Sequence, residues 1–388
     1  MFGLLRGVYA LTEEQVALRN AVRSLLSRRS DPAAVRAAAA SGRGYDPDLW
    51  SVLCEQIGVA ALAVPEEYGG AGAGVPEIRL VLEELGRTLT PSPLLGSAVL
   101  AAQALLASGD AEACKRLLPG IADGSRIATV LWTGPAGHWS AEDTACSAEP
   151  RGTGGWALHG RAHHVLDGDL ADVLLVAART DTGIGLFEVT PHQPGVHRRH
   201  AATMDLTRRL ATVRLAGATG RRIGDDARPA LRRARDTACA ALSGEQVGAA
   251  SRCLELTVEY AKARVQFDRP IGSFQALKHR MADMYVLVET ARSASHAAAQ
   301  AAEEGDAELL AARAAAAKTY CSEALCRVAA EMIQLHGGIA ITWEHDAHLY
   351  FKRAHGSAQL FGQPREHAAR LGRLLGLDGP ARSGGSLG

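Results

Sequence analysis

The chain has 388 residues, of which 47% are hydrophobic and 22% charged, and it carries 42 basic (Lys+Arg) and 42 acidic (Asp+Glu) side chains. This length exceeds one ordinary core and predicts two or three domains, while the balanced charge gives no overall field that would attract nucleic acid or an anionic membrane. The seven cysteines include no CxxC pair, and no apolar run approaches the roughly 20 residues of a membrane span. We therefore expect a soluble, cytoplasmic protein with reduced thiols, no membrane span and no metal site.

Three regions with different patterns follow one another along the chain. From residue 11 to 127 apolar residues recur at three- and four-residue intervals, which predicts helices, the first of them capped by Thr12. From about residue 128 to 215 short β-prone runs alternate with glycines. Long Ala- and Leu-rich helical segments then return. We predict a mostly α protein with a central β domain, organised as an N-terminal all-α domain (1–127), a middle β-barrel or sandwich domain (128–225), a C-terminal four-helix bundle (226–377) and a disordered tail (378–388).

The connection between two of the C-terminal helical segments, Arg264–Gln275, carries an unusual set of side chains. It holds two arginines, two glutamines and two phenylalanines around Pro270 and Gly272. A packing turn needs the proline and the glycine but not this density of forked donors and aromatic faces. Guanidinium and amide groups in a rigid corner suit a planar ligand that bears phosphate. The alternative is a solvated helix corner.

This corner resembles the R-x-x-F-G-x-x-I-x-x-F-Q signature of flavin-dependent acyl-CoA dehydrogenases, and Gln334–Gly338 resembles that family's Q-x-x-G-G-x-G turn. The resemblance covers nearly the whole chain and implies FAD as the cofactor. It also implies that the turn reaches the adenosine diphosphate part of FAD in a neighbouring subunit, and hence a dimer or tetramer. Asp268 and Ala340 stand where the family has glycines. The residues that the resemblance assigns to FAD binding are Arg264, Gln266, Phe267, Phe274, Gln275, Gln334, Gly337, Gly338 and Thr133.

The middle region matches the family less closely. Thr133 falls in a segment similar to the family's V-T-E-P-G strand, whose threonine and main chain meet the flavin edge. Arg161–Gly168 falls where the family has a W-I-T-N stretch against the flavin ring. His164 and Leu166 replace the tryptophan and the threonine there. The flavin contacts of this region are therefore only partly specified by the resemblance.

Dehydrogenation of a thioester requires a carboxylate that removes the α-proton while the β-hydrogen leaves as hydride to flavin N5. Most family members carry a glutamate at a position that corresponds to Phe361, and others at one that corresponds to Ala238. Glu245 lies seven residues after Ala238, and seven residues return to within about 20° of the same helix face. Its small neighbours Gly244 and Gly248 predict an apolar setting and a raised pKa, which favours a general base. An ordinary solvent or ion-pair contact at a helix flank is the alternative.

The sequence therefore predicts FAD-dependent α,β-dehydrogenation of an acyl thioester of coenzyme A or an acyl-carrier protein, with Glu245 as the base. The electron acceptor would be a protein such as an electron-transfer flavoprotein. The stretch around Glu245 resembles an actinobacterial branch that acts on steroid side-chain thioesters, in which some members form mixed tetramers. Two alternatives stay open, a half-site or non-catalytic partner subunit of a heteromeric acyl-CoA dehydrogenase, and a flavin-dependent monooxygenase on the same fold. Both homo- and hetero-oligomers fit the sequence.

Overall fold

Six helices open the computed structural model, which describes residues 11–152 and 155–377, so that the tail 378–388 lies outside the described residues. Thr12 caps the first helix as predicted, because its hydroxyl accepts a hydrogen bond from the amide of Gln15. Segments with a wider helical turn, Leu53–Ile57 and Leu95–Ala101, extend the third helix and precede the fifth. The helices are α1 (Glu13–Arg29), α2 (Pro32–Ala40), α3 (Pro47–Val52), α4 (Val75–Thr88), α5 (Ala102–Ala107) and α6 (Ala111–Ala122).

A β-barrel follows. Its strands are β1 (Ala128–Leu131), β2 (Cys146–Arg151), β3 (Gly155–Leu166), β4 (Val173–Thr180), β5 (Gly183–Val189), β6 (Val196–His200) and β7 (Leu210–Ile223). The pairings β4–β2, β2–β3, β3–β7, β7–β5 and β5–β4 close a ring, with β1 added to β4 and β6 added to β7. Closure protects strand edges, and the residues that point inward along β4 and β7 are buried.

The rest of the described chain is helical, apart from one short hairpin. It comprises α7 (Ala227–Ala263), β8 (Val265–Gln266), β9 (Arg269–Pro270), α8 (Gln275–Ala301), α9 (Ala307–His336), α10 (Ala347–Gln359) and α11 (Pro364–Leu374). Helices α7, α8 and α9 pack on one another. The predicted fold class, mostly α with a central β-barrel, is thus confirmed. No helix of the described residues is long and apolar enough to cross a membrane.

Helices α4 and α7 cross with their backbones in contact. A Cβ atom added to Gly248 would lie 1.8 Å from the carbonyl oxygen of Glu83, and one added to Gly244 would lie 2.5 Å from that of Arg79. From the other helix, a Cβ on Gly86 would lie 2.1 Å from the carbonyl oxygen of Glu245. Only glycine allows this approach. The crossing fixes the middle of α7, and with it the position of Glu245.

Candidate functional site

The Arg264–Gln275 corner forms the β8–β9 hairpin and projects from the end of α7. Arg264 and Gln266 are exposed, and the ring of Phe267 is 86% exposed. The guanidinium of Arg269 stacks over the ring of Phe274 at 4.0 Å, which holds one cation and one aromatic face in a fixed arrangement. The hairpin therefore presents donors and apolar rings to the outside rather than to the core of the chain.

The hairpin turn also explains how the chain tolerates Asp268 where the family has glycine. Phe267 and Asp268 both have positive φ angles, 53° and 61°. Aspartate is among the residues that adopt this left-handed conformation more readily than most, because its short polar side chain can bond locally. Aspartate can therefore occupy this left-handed position of the turn.

The Gln334–Gly338 turn lies at the same end of the molecule as the hairpin. It spans the C-terminal end of α9, whose last residue, His336, stacks its ring on Tyr260 of α7 at 4.4 Å. Gln334 and Gly337 are exposed, and a Cβ on Gly338 would meet no atom within 4 Å. Ala340 in place of the third glycine is fully buried, so its methyl group does not fill this open space. The stack of His336 on Tyr260 thus holds the two motifs at the same end of the molecule.

Thr133 lies elsewhere, directly after β1 in the barrel. Its hydroxyl donates a hydrogen bond to the carbonyl of His163 at 2.7 Å, and the amide of His163 donates to the carbonyl of Thr133 at 2.8 Å. The side chain is buried. One chain therefore holds two separate groups of candidate cofactor residues, one in the barrel and the other at the end of α7 and α9.

Glu245 occupies a buried ionic cluster, which contradicts the apolar setting that we expected. Arg208, just before β7, donates to both carboxylate oxygens at 2.5 and 2.6 Å, and Arg353 of α10 donates to one of them at 2.8 Å. Arg353 also pairs with Asp205 at 2.9 Å. Burial alone would raise the pKa of Glu245, but the two guanidinium groups outweigh it and lower that pKa. The predicted raised pKa is wrong.

The reason for this error is that the small neighbours of Glu245 serve a different purpose. Gly244 and Gly248 face α4 and allow the close helix crossing. The carboxylate instead meets Arg208, just before β7, and Arg353 of α10, which are 37 and 108 positions away along the chain. The residues next to Glu245 in the sequence therefore predict the contact between α4 and α7. They do not predict what surrounds the carboxylate of Glu245. The ion-pair alternative is the one that the structure supports.

An aromatic cluster surrounds Phe361, where the resemblance places the family's usual base. Phe361 is fully buried, and its ring packs edge-on against Trp139 at 5.0 Å, which in turn packs against Trp132 at 5.3 Å. Arg235 of α7 donates a hydrogen bond to the carbonyl of Trp139 at 3.0 Å. The loop after β1 is thereby fastened to the helical bundle. The contact between Phe361 and Trp139 was not predicted from the sequence.

A buried lysine holds the helix end that precedes Phe361. The ammonium group of Lys318, on α9, donates to the carbonyl oxygens of Ser357 and Ala358 at 3.2 and 2.8 Å, at the C-terminal end of α10. Cations are favourable at this end of a helix dipole. Burial lowers the pKa of Lys318 to about 8. Sequence reasoning missed this residue, since a lysine within an alanine-rich helix is usually solvated.

The space beside Glu245 is small and polar. A cavity of about 20 Å³ is lined by Glu245, Arg208, Arg209, Arg353 and Asp167, together with apolar residues of α4. This is enough for roughly one water molecule. Burial raises the pKa of Asp167 to about 7, against the opposing influence of the arginines. The cavity is far below the ~300 Å³ of an ordinary ligand pocket.

Comparison with known proteins identifies the family. Residues 12–125 match the model for the N-terminal domain of acyl-CoA dehydrogenases, and residues 233–367 match the model for their C-terminal domain. The chain belongs to the acyl-CoA dehydrogenase family. It is 46% identical to the acyl-CoA dehydrogenase IpdE2 of Mycolicibacterium smegmatis over 93% of this chain and 98% of that protein. Identity to IpdE2 of Mycobacterium tuberculosis is 48%, over 92% of this chain and 96% of that one.

Solved structures of this family agree with the fold. The ChsE4-ChsE5 complex from Mycobacterium tuberculosis superposes with a TM-score of 0.86 and 33% identity, covering 96% of this chain and 99% of the matched one. A variant of the Tcur3481-Tcur3483 steroid acyl-CoA dehydrogenase gives a TM-score of 0.85 and 33% identity, over 94% and 98%. The protein is therefore a flavin oxidoreductase with FAD as its cofactor.

The residues at the end of α7 and α9 suit FAD. Exposed guanidinium and amide groups on the hairpin offer forked donors for phosphate, and the open space above Gly338 lets a ligand approach the main chain. His336 adds a buried ring nitrogen, Nε2, that has no hydrogen-bond partner among the described residues. These features are compatible with an adenosine diphosphate group bound against this end of the protein.

Proposed function

We propose that the chain is a subunit of an FAD-dependent acyl-CoA dehydrogenase that introduces a double bond between Cα and Cβ of an acyl thioester. The observation that carries this proposal is the pairing of two cofactor motifs. The Arg264–Gln275 hairpin and the Gln334–Gly338 turn are held at one end of the molecule by the Tyr260–His336 stack. Both face outward, which suits a cofactor shared with a neighbouring subunit. FAD, when bound, supplies the hydride acceptor.

Glu245 is the candidate base, under one condition. Its carboxylate would accept the α-proton at Oε1 or Oε2, but Arg208 and Arg353 occupy these oxygens and lower the pKa of the group. Such a carboxylate is a weak base, since its charged form is already satisfied. Catalysis by Glu245 therefore requires that Arg208 moves away when a thioester enters.

A second candidate function, that of a non-catalytic or half-site subunit, is supported by the lack of free space beside Phe361 and Glu245. The Trp139–Phe361 contact covers the position of the usual base, and the cavity beside Glu245 holds roughly one water. Both observations favour a non-catalytic or half-site subunit that works with a related, active one. The ChsE4-ChsE5 complex, whose fold this chain shares, is composed of two different chains. By this likeness, we propose a hetero-tetramer as the alternative to a homo-oligomer.

Spectroscopy of the purified protein separates the two candidates. For the homomeric enzyme we expect a yellow protein with flavin absorbance and turnover of an acyl-CoA panel with an artificial electron acceptor. Glu245→Gln should then lose most of that turnover, while Glu323→Gln, an exposed charge change on α9, should retain it. A chain that is colourless alone and yellow after co-expression with a related subunit supports the half-site instead. Full turnover by Glu245→Gln would refute the base assignment.

The physiological electron acceptor and the monooxygenase alternative need separate assays. An electron-transfer flavoprotein is the acceptor that we propose from the family resemblance, and reduction of such a protein in the presence of thioester would test it. The monooxygenase alternative rests on the shared fold. Oxygen consumption by the reduced flavoprotein without any thioester would support that alternative over the dehydrogenase.

A further inference from the structure

Arg208 lies against Glu245 but uses only part of its hydrogen-bonding capacity there. Both of its bonds to the carboxylate, at 2.5 and 2.6 Å, come from the single nitrogen Nη2. The side chain is 10% exposed, and its Nε is buried without a hydrogen-bond partner among residues 11–152 and 155–377. A guanidinium group has donors on every nitrogen, and a buried donor that is left unpaired costs free energy. The Nε edge of Arg208 is therefore open to a further acceptor.

The two other arginines that line the same cavity have their donors occupied. Arg353 is buried, and each of its three guanidinium nitrogens donates to an acceptor at 2.6–3.1 Å. Arg209 donates from Nε and Nη2 to the carboxylate of Asp169 at 3.0 and 2.6 Å. These two groups are fixed parts of the protein, whereas Arg208 retains a donor for a ligand.

The cavity that Arg208 lines combines apolar and charged walls. Leu82, Leu85 and Leu95 contribute to its lining together with Arg208 and Glu245. Since it holds roughly one water, a larger group can enter only if Arg208 moves from Glu245, which is the movement that the proposed function requires. Separating a buried ion pair is unfavourable unless the cation gains another partner. A carboxylate on a short hydrocarbon chain suits both kinds of wall and supplies that partner.

The charge balance of the proposed reaction also favours an acidic ligand for Arg208. In the structure the positive charge of Arg208 is matched by the carboxylate of Glu245. Once Glu245 accepts the α-proton it is neutral, and Arg208 is left as a buried cation without this counterion, which is unfavourable. A second carboxylate at the Nε edge would provide a counterion before and after the proton transfer. It would also make Glu245 a stronger base, because like charges disfavour the ionised form.

We propose that Arg208 is a specificity-determining residue, and that the acyl group of the substrate carries a second carboxylate that binds its Nε edge. Guanidinium forks bind carboxylates through parallel hydrogen bonds. Because Nη2 lies against Glu245, the second carboxylate must be only a few carbons from Cα, as in a glutaryl group. Its binding draws Arg208 from Glu245 and leaves the base able to take the α-proton. This inference rests on the proposed function, with Glu245 as the base.

Binding of unreactive ligands tests the proposal without turnover. Isothermal titration of the purified full-length protein, with whatever flavin and partner it retains, would compare S-(4-carboxybutyl)-, S-(4-oxopentyl)- and S-pentyl-coenzyme A. These thioethers have side chains of equal length and lack the carbonyl that makes the α-proton acidic. We expect the carboxylate to bind roughly tenfold more tightly than the ketone or the alkyl chain, as for a hydrogen bond between charged groups.

A lysine variant separates the Nε edge from the positive charge. Arg208→Lys keeps a cation beside Glu245 but has no guanidinium fork, so we expect a folded protein that has lost the preference for the carboxylate. The matched control is Arg313→Lys, at an exposed arginine of α9, which should keep the wild-type preference. If Arg208→Lys does not fold, the wild-type affinities for the three thioethers still decide the proposal.

The outcomes separate this inference from the proposed function. Equal or undetectable wild-type affinities for the three thioethers overturn it, as does a preference that persists in Arg208→Lys. A ketone that binds as well as the carboxylate also overturns it, because the site then recognises an uncharged acceptor. A carboxylate preference that depends on Arg208, without oxidation of glutaryl-coenzyme A, would defeat the proposed function and leave the site. Oxidation of pentanoyl-coenzyme A as fast as glutaryl-coenzyme A would keep the dehydrogenase and defeat the inference.

Discussion

Glu245→Gln is expected to destabilise the protein through the two arginines that it leaves behind. Removing one partner of a buried ion pair costs about 3–5 kcal/mol, because the remaining charge is uncompensated. Arg353 keeps Asp205 at 2.9 Å, so we expect the lower end of that range, about 3 kcal/mol. For a chain of this length this corresponds to a melting temperature lower by roughly 5 °C. Glu323→Gln, the exposed control, should melt like the wild type.

The pH dependence of this difference reveals the sign of the pKa shift. Because the folded-state pKa of Glu245 lies below the unfolded value near 4.5, its stabilisation is present above that value and lost as the pH falls through the folded pKa. Melting curves should therefore show a constant gap between wild type and Glu245→Gln above about pH 4.5 and a gap that closes as the pH falls below it. A carboxylate with a raised pKa would give the opposite trend. A gap that widens as the pH falls from 7 would refute the ionic cluster.

Three further outcomes follow from buried groups. Trp139→Ala should destabilise by about 3–5 kcal/mol in chemical denaturation, since it removes a large ring packed on Phe361; an unchanged midpoint would contradict this packing. Lys318→Met should lose stability relative to wild type as the pH rises from 8 to 10, because the depressed pKa of about 8 makes wild-type stability grow with pH there. Asp167→Asn should match wild type in melting temperature near pH 4 and exceed it above pH 7, because the raised pKa of about 7 disfavours the charged form.

The order of helices, barrel and helices could be predicted because the signals are local. Apolar residues at helical intervals and the Thr12 cap determine α1 within one stretch of chain. The closure of the barrel could not be predicted in this way. Strand β4 pairs in parallel with β1 and β2 and antiparallel with β5, and such partners depend on contacts between distant segments. Periodicity identifies a strand but does not name its neighbour.

In the candidate site, too, features within one short segment could be predicted and contacts between distant segments could not. The Arg264–Gln275 hairpin is one continuous connection, so its exposed donors and rings could be predicted from a short motif. The neighbours of single residues in the barrel could not be predicted in this way, since only the strand register shows Arg161 opposite Arg214. Lys318 was missed for a similar reason, since its partners lie on another helix. Each omission is a long-range contact between residues that look ordinary alone.

The conformation of Phe361 bears on whether this subunit is active. Its φ angle of 61° is left-handed, which costs a residue with a Cβ atom roughly 1–2 kcal/mol. The buried ring offsets this cost, since loss of such a phenylalanine costs about 3–5 kcal/mol. Packing on Trp139 thus supports the left-handed conformation of Phe361. At residue 361 the chain has an aromatic contact with Trp139 and no carboxylate. The carboxylate of Glu245 is held by Arg208 and Arg353. Neither residue is a free base in this structure, and this is the observation behind the half-site alternative that we propose above.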